Sequence, residues 1–179
     1  LMGPDEYLDM LDNIGDGDVI FRLNRVQNGP YDSQATGGGG SVGSLYAFIA
    51  SDLEGAPFLE MSRGLFNSIN SGFRAFAYLD QTSSIDPTYA TNPDYLNSDV
   101  LIINKYPGTP SRPQINNLMI FRGSEMQLIL AESLASGGAD LAGAAAAVKA
   151  LRDARLSSTT TPAAYASEQE AFADILAER

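Results

Sequence analysis

Two helical patterns joined by a glycine pair constrain the fold of this 179-residue chain more than any other feature. In residues 124–134, apolar side chains recur at the spacing of one helix face, and Gly137-Gly138 then provides a stop signal. The second pattern starts at Asp140, a favoured N-cap residue, and continues through an alanine-rich stretch to Arg155. Because the connection is only a few residues long, the two helices are predicted to lie antiparallel as a helical hairpin.

Small side chains and capping signals define the packing and the ends of this hairpin. The alanine-rich residues 142–147 allow two helix backbones to approach closely, which is typical of tetratricopeptide-type helix pairs. Ser124 with Gln127, and Ser167 with Glu170, have the three-residue spacing of capping boxes. The second box predicts a third helix that runs to the last residue without a stop signal, so we expect the sequence to be a piece of a longer protein.

The first two thirds of the chain carry more mixed signals. A proline followed by two acids predicts a helix that starts near Pro4 and stops by Gly15. Three segments are predicted as short strands, and a fourth is a further short apolar segment: residues 19–23, 73–78 and 100–106, and residues 117–122. Residues 27–43 and 80–98 are predicted as long polar loops.

These patterns together predict a mainly α fold, α+β with few short strands, in which tetratricopeptide-like helix hairpins support a loop-rich region. Residues 1–122 are expected to form the loop-rich body with its short strands. Residues 123–179 are expected to form the helical hairpin and a truncated helix, as part of the same domain.

The charge balance excludes two classes of partner. The chain has 11 Lys and Arg residues against 22 Asp and Glu residues, a net charge of −11. Nucleic-acid binding and direct adhesion to an anionic membrane both require a basic surface, which this sequence lacks. No apolar run approaches the ~20 residues of a membrane-spanning helix. The acidic surface instead suits neutral or cationic partners.

Three residue types are absent, and their absence narrows the possible chemistry. The chain has no Cys, no His and no Trp. It therefore has no thiol nucleophile, no zinc–thiolate site and no imidazole base. Residues 39–43 match the G-x-S-x-G pattern of a nucleophile elbow, but Ser41 has no His to take its proton. We interpret this segment as a flexible glycine-rich loop.

The acidic residues raise further alternatives. Residues 12–18 resemble a calcium loop, but Ile14 and Leu23 occupy positions that need oxygen ligands, so a solvated acidic turn is favoured over an irregular metal site. Paired carboxylates can hydrolyse glycosides without His, yet nothing in their spacing singles out an acid and a base, and solvated loop acids are favoured. The candidates are Asp80, Asp86, Asp94 and Asp99. Glu132 is expected on a solvated helix face or bonded to a neighbouring helix.

Tyrosines in the polar loops point more clearly to a ligand. Tyr31, Tyr89 and Tyr95 lie away from any apolar face, and Asn92 and Asp94 lie between the latter two. Aromatic rings with a polar tip suit the stacking of sugar rings in a half-wet pocket, while amides and carboxylates bond the hydroxyl groups. We predict that these five residues bind a glycan. The alternative for each tyrosine is a ring that packs under its loop and anchors it.

Residues 121–134 resemble the SusD/RagB family of outer-membrane nutrient-binding lipoproteins. Their sequence is Phe-Arg-Gly-Ser-Glu-Met-Gln-Leu-Ile-Leu-Ala-Glu-Ser-Leu. The family has an Arg, a Ser or Ala, a Glu and an apolar face that ends in Ala-Glu-Ala, followed by a Gly-containing turn and an Ala-rich helix with an Arg-rich end. In this chain, residues 137–155 correspond to that turn and Ala-rich helix. Residues 17–21, 104–108 and 175–179 are similar to further family segments, in the same order.

The resemblance implies a function at the cell surface. Such proteins are tethered by a lipidated Cys to the outer face of the outer membrane, and they cap a TonB-dependent transporter of the SusC type. They bind glycans or peptides and are not enzymes. The anchor would lie outside this sequence. The family's ligand contacts often use Trp, and often come from the loop before a Lys-Tyr strand. Here that loop holds Tyr89, Asn92, Asp94 and Tyr95.

We therefore expect an outer-membrane glycan-binding protein that hands oligosaccharides to a SusC-like transporter, without catalytic residues, metal or cofactor. Two alternatives stay open. The first is an interaction module in which the helical hairpin holds a protein or peptide. The second is a His-free glycoside hydrolase that uses paired carboxylates.

Overall fold

The computed structural model describes residues 1–24, 59–69, 73–109, 112–113 and 116–179 of the chain. About half of the described residues are helical, and the strands are short, so the prediction of a mainly α fold with few short strands is confirmed. The helices are α1 (Pro4–Leu11), α2 (Arg63–Ile69), α3 (Phe73–Tyr78), α4 (Gly123–Ala135), α5 (Leu141–Leu156) and α6 (Glu168–Glu178). The strands are β1 (Val19–Leu23), β2 (Gly108–Thr109), β3 (Arg112–Pro113) and β4 (Leu118–Arg122).

The chain forms two compact units whose segments alternate along the sequence. The first unit contains Leu1–Tyr7, Asp16–Leu23 and Met119–Arg179, and the second contains Leu8–Gly15 and Asn24–Leu118. Among the residues that the structure describes, no helix combines the length and the apolarity needed to cross a membrane.

The predicted helical hairpin forms the centre of the first unit. Helices α4 and α5 pack together with α6 around a core of nine buried residues: Leu128, Ala131, Ala135, Ala144, Ala147, Val148, Leu151, Ala171 and Ile175. Five of these nine are alanines, and four of the five have no exposed surface, so the helix backbones can approach closely. The turn uses Gly137 and Gly138 at φ values of 66° and 70°, which residues with a Cβ rarely adopt.

The caps of the hairpin helices follow the sequence prediction in part. The Asp140 carboxylate accepts the N–H of Gly143 at 2.8 Å, as predicted for an N-cap. Ser167 caps α6 by accepting the N–H of Glu170 at 3.2 Å. The Glu170 carboxylate reaches back to the N–H of Ala166 at 2.8 Å, one residue earlier than in a regular capping box.

The predicted capping box at the start of α4 is wrong. Ser124 lies inside the helix, and the Gln127 amide donates to the carbonyl oxygen of Ala147 on α5 at 3.1 Å. The cap comes instead from Asp18, which accepts the N–H of Ser124 through its carboxylate (3.0 Å) and that of Gly123 through its carbonyl (2.7 Å). A residue more than 100 positions away in the sequence therefore satisfies this helix end.

Two strands complete the first unit. The predicted strand at Val19–Leu23 is confirmed as β1, and it pairs with β4, which covers most of the apolar segment predicted at 117–122. The Phe21 and Phe121 rings lie 6.3 Å apart between centroids, tilted by 39°. Both rings are about half exposed.

The second unit differs from the sequence prediction in two places. Residues 73–78 form helix α3 rather than the predicted strand, because a six-residue apolar run has too few positions for its periodicity to decide between the two. Residues 100–106 do not form one strand. Val100, Ile102 and Ile103 instead make isolated bridges to three separate partners, at residues 84, 60 and 79 respectively, so no continuous ladder develops.

A small apolar core holds these segments. Met61, Phe66 and Leu101 are buried together. Partly buried side chains pack against them from α2, α3 and the bridging segment: Ile69, Tyr78, Leu79 and Ile103. The predicted loop at 27–43, with the G-x-S-x-G pattern, lies outside the described residues.

Candidate functional site

The predicted polar loop, residues 80–98, folds around the carboxylate of Asp86. One oxygen of this carboxylate accepts the backbone N–H and the hydroxyl of Thr88, both at 2.7 Å. The other accepts the Asn92 amide at 2.7 Å. The Thr88 and Asn92 hydrogen bonds lower the pKa of Asp86, so this buried group remains ionised at neutral pH.

A buried ion pair ties the loop to helix α2. The Arg63 Nη1 atom lies 2.8 Å and 2.9 Å from the two carboxylate oxygens of Asp99. Asp99 also accepts the N–H of Asp86 at 2.6 Å, which joins the two carboxylates in one network. Only 10% of the Arg63 side chain and 5% of the Asp99 side chain are exposed. Solvent therefore screens these charges little, and the ion pair fixes the end of the loop to helix α2.

The two loop tyrosines form a pair beside this network. The ring centroids of Tyr89 and Tyr95 lie 6.3 Å apart, with the ring planes at 78°, an edge-to-face arrangement. The Arg63 guanidinium carbon lies 3.9 Å from the Tyr89 centroid, so it covers one face of that ring. Tyr89 nevertheless keeps 36% of its surface exposed.

The structure brings four of the five predicted site residues together: Tyr89, Asn92, Asp94 and Tyr95. Asn92 uses its amide within the loop, donating to Asp86 and accepting the N–H of Asp94 at 3.0 Å. Asp94 is exposed and is held through its backbone. The fifth predicted residue, Tyr31, lies outside the described residues.

The contacts divide these residues by role. Asn92 supports the loop, and Tyr89 has the anchoring contact on one face that the sequence left as its alternative role. Tyr89 and Asp94 are exposed and Tyr95 is half-buried, so the loop presents these three side chains, among others, to solvent. A ring held on one face by a cation is positioned in advance, so a ligand that stacks on it pays little ordering entropy.

Sequence reasoning misjudged Asp86 and Asp99 and missed Arg63. Asp86 and Asp99 are 7% and 6% exposed, so the expectation of solvated loop acids is wrong for both. Asp86 had a usable signal, since an Asp two residues before a Thr favours a turn closed by its side chain. The same spacing recurs at Asp80, which accepts the N–H of Thr82 at 2.8 Å. Arg63 had no comparable signal, because its partner is 36 residues away.

The carboxylate pair is poorly suited to acid catalysis. A glycosidase needs one carboxyl group whose pKa is raised, so that it can donate a proton to the leaving group. Hydrogen bonds from Thr88 and Asn92 instead lower the pKa of Asp86, and Asp99 is bound to Arg63 through both oxygens. Within the described ranges, no group of three or more acidic side chains is placed to hold a metal ion.

The acidic turn at residues 12–18 is used for structure. Asp16 pairs with Arg22, and Asp18 pairs with Arg122 and Arg155 besides capping α4. Burial, followed by the nearby charge of Asp9, raises the pKa of Asp12. Asp16 and Asp18 therefore pair with arginines of the first unit, and Asp12 is partly buried in the second.

Glu132 takes the second of its two predicted roles. Its carboxylate accepts a hydrogen bond from Arg179, the residue after α6, at 2.8 Å, and Glu125 lies 3.1 Å from the same guanidinium. It therefore links α4 to the end of α6 and is part of the helical packing.

Comparisons of the chain with protein-family models, with curated proteins and with solved structures found no significant match.

Proposed function

We propose that this chain binds glycans at the cell surface and hands oligosaccharides to a TonB-dependent outer-membrane transporter, as a SusD/RagB-like protein anchored to the membrane by a lipid. The observation that carries the binding step is the Tyr89–Tyr95 pair on a loop fixed by Asp86, Asp99 and Arg63. The mechanism is stacking of sugar faces on the exposed parts of the two rings, with neighbouring polar groups bonding the hydroxyls.

Two features support the SusD-like part of the proposal. One is the sequence resemblance in residues 121–134 and in the segments that surround them. The other is the hairpin of α4 and α5, whose helices pack through buried alanines, as a tetratricopeptide-like pair would require. The transporter partner and the cell-surface location rest on the resemblance.

Polysaccharide gels provide the test. The 179-residue chain is run through native gels that contain α-glucan, β-glucan, xylan or mannan, and the same mixtures are assayed for new reducing ends. We expect retardation by at least one polysaccharide and no new reducing ends. New reducing ends would indicate that the chain hydrolyses the polysaccharide rather than only binding it. No retardation by any glycan would contradict the proposed function.

Variants of the ring pair locate the binding. Tyr89→Ala and Tyr95→Ala are each expected to weaken binding about 5-fold, since one aromatic contact contributes on the order of 1 kcal/mol. Tyr89→Phe and Tyr95→Phe are the matched controls, because they keep the ring and remove only the hydroxyl. Urea unfolding of each variant separates lost binding from lost folding. Equal binding by all four variants would place the glycan elsewhere on the chain.

One observation favours the interaction module as a second candidate. Helix α4 exposes three large apolar side chains, Met126 (41%), Ile129 (45%) and Leu130 (48%). An exposed apolar cluster of this kind is typical of a protein contact. Failure of every glycan to retard the chain would make this candidate the better one.

A further inference from the structure

We propose that the site at Tyr89 and Tyr95 selects uncharged glycans and rejects chains that carry carboxylate or sulfate groups. This inference rests on the proposed function, because it names the class of glycan that the same ring pair binds. It follows from how the structure uses the cation and the acids beside the rings.

The cation that contacts the ring pair, Arg63, already binds a carboxylate of the protein. Proteins recognise carboxylates and sulfates mainly through the N–H groups of Arg or Lys. Arg63 touches the Tyr89 ring, yet it donates to both oxygens of Asp99 and is 90% buried, with Nε directed to Asn67 at 3.2 Å. An acidic glycan would have to displace a buried ion pair to reach this guanidinium.

The loop around the rings is strongly acidic. Residues 75–104 contain four acids and no Lys or Arg: Asp80, Asp86, Asp94 and Asp99. Together with Arg63, these four acids carry a formal charge of 1 − 4 = −3. The lowered pKa of Asp86 keeps that buried group ionised at neutral pH. Asp94, one residue before Tyr95, is exposed, so its charge meets any ligand that stacks there.

Coulomb repulsion sets the size of the expected discrimination. One carboxylate on a glycan at ~6 Å from one aspartate, in water, lowers affinity about 3-fold. Several aspartates and a reduced local dielectric increase this factor. Exposed charges are screened over about 10 Å at 0.1 M salt and about 3 Å at 1 M, so the discrimination should fall steeply with ionic strength. Binding of an uncharged glycan should barely respond to salt.

The experiment compares derivatives of one backbone. Each neutral polysaccharide that retards the 179-residue chain is tested as the parent, as its carboxymethyl ether and as its hydroxyethyl ether, at 20 mM and 1 M NaCl. The hydroxyethyl ether matches the bulk of the carboxymethyl group without its charge. We expect the parent and hydroxyethyl forms to bind alike. At 20 mM NaCl, the carboxymethyl form should bind at least about 3-fold more weakly than the parent. This difference in affinity between the parent and carboxymethyl forms, called the gap below, should narrow at 1 M NaCl.

Asp94→Asn assigns the effect to the loop. It removes one charge beside Tyr95 and keeps a side chain of nearly the same shape, so it should narrow the low-salt gap about 3-fold. Asp5→Asn, in α1, makes the same change in net charge outside the loop, so it should narrow the affinity difference much less than Asp94→Asn does.

The outcomes are distinct. A carboxymethyl form that binds as tightly as its parent, or whose binding weakens with salt, overturns the charge selection and leaves glycan binding intact. Equal losses for the carboxymethyl and hydroxyethyl forms at both salt concentrations also overturn it, because bulk is then the cause. If no parent polysaccharide binds, the proposed function fails and this inference fails with it.

Discussion

At the scale of single residues, local hydrogen bonds stabilise the carboxylates of two aspartates, Asp153 and Asp86. Asp153 at the end of α5 pairs with Lys149 and accepts the N–H and the hydroxyl of Thr160 at 2.6 Å and 2.8 Å. The Lys149 contact, followed by the two Thr160 bonds, lowers the pKa of Asp153 to about 2. Asp86 follows the same rule with Thr88 and Asn92. Aspartates followed by nearby threonines are therefore structural in both units.

The lowered pKa of Asp153 makes part of the stability depend on pH. Its folded pKa lies below its unfolded value, so its contribution is fully present above about pH 4 and is lost as pH falls through about 2. We expect Asp153→Asn to lower Tm at pH 6, and the difference from the parent chain to shrink between pH 4 and pH 2. Thermal unfolding by circular dichroism at micromolar concentration measures this. A constant difference across that range would contradict the assignment.

At the scale of elements, the ends and the packing of the hairpin have different origins. Asp140 and Ser167 cap their own helices from adjacent positions, as local sequence predicts. Helix α4 instead takes its cap from Asp18, whose side chain is 6% exposed and also contacts Arg122 and Arg155. A helix end can therefore be satisfied by a residue that no local motif contains.

The cap of α4 predicts opposite results for two alanine variants. Asp18→Ala should destabilise the chain by at least about 2 kcal/mol, because it removes the cap of Ser124 and leaves two largely buried arginines without their carboxylate. Ser124→Ala should change stability by less than about 0.5 kcal/mol, since Asp18 bonds the backbone N–H that the variant retains. Urea unfolding followed by circular dichroism compares them. A large loss of stability in Ser124→Ala would instead indicate that the Ser124 side chain caps the helix, as the local capping box predicts.

Close packing of α4 and α5 predicts a second matched pair. Ala144 is fully buried between the helices, and Ala146, two residues along α5, is exposed. Ala144→Leu should destabilise the chain by about 1–3 kcal/mol through overpacking. Ala146→Leu adds the same atoms on the solvent side and should be nearly neutral. Similar unfolding midpoints in urea for the two variants would show that the helices separate without cost.

At the scale of the whole molecule, charge is the dominant property. A net charge of −11 keeps copies of the chain apart at neutral pH and lowers the local concentration of anionic ligands. The same sign prevails in the ring-bearing loop, so long-range repulsion and local repulsion act together on an anionic glycan.

This charge predicts a solubility minimum. A solution of the chain should be clear at pH 7 and most turbid near the isoelectric point of about 4.2, where charge repulsion between copies vanishes. Turbidity at fixed concentration between pH 3 and 8 measures it, with circular dichroism at each pH to confirm that the chain is folded. A turbidity maximum near neutral pH would indicate that the exposed apolar side chains, rather than charge, control association.

What the sequence determined by itself was local. The hairpin at 123–156, its glycine turn, the caps at Asp140 and Ser167 and the strand β1 all depend on residues within about four positions of one another. The grouping of Tyr89, Asn92, Asp94 and Tyr95 was also predictable, because seven residues of one loop contain them all.

The tertiary structure alone decided the rest. It made residues 73–78 a helix, since packing overrides the weak preference of so short a run. It paired Arg63 with Asp99 and Asp18 with the start of α4, across separations of 36 and 106 residues. It also placed the Arg63 guanidinium on one face of Tyr89, which distinguishes the anchored face of that ring from the exposed one. Such contacts depend on how distant segments pack, and no spacing within a single segment encodes them.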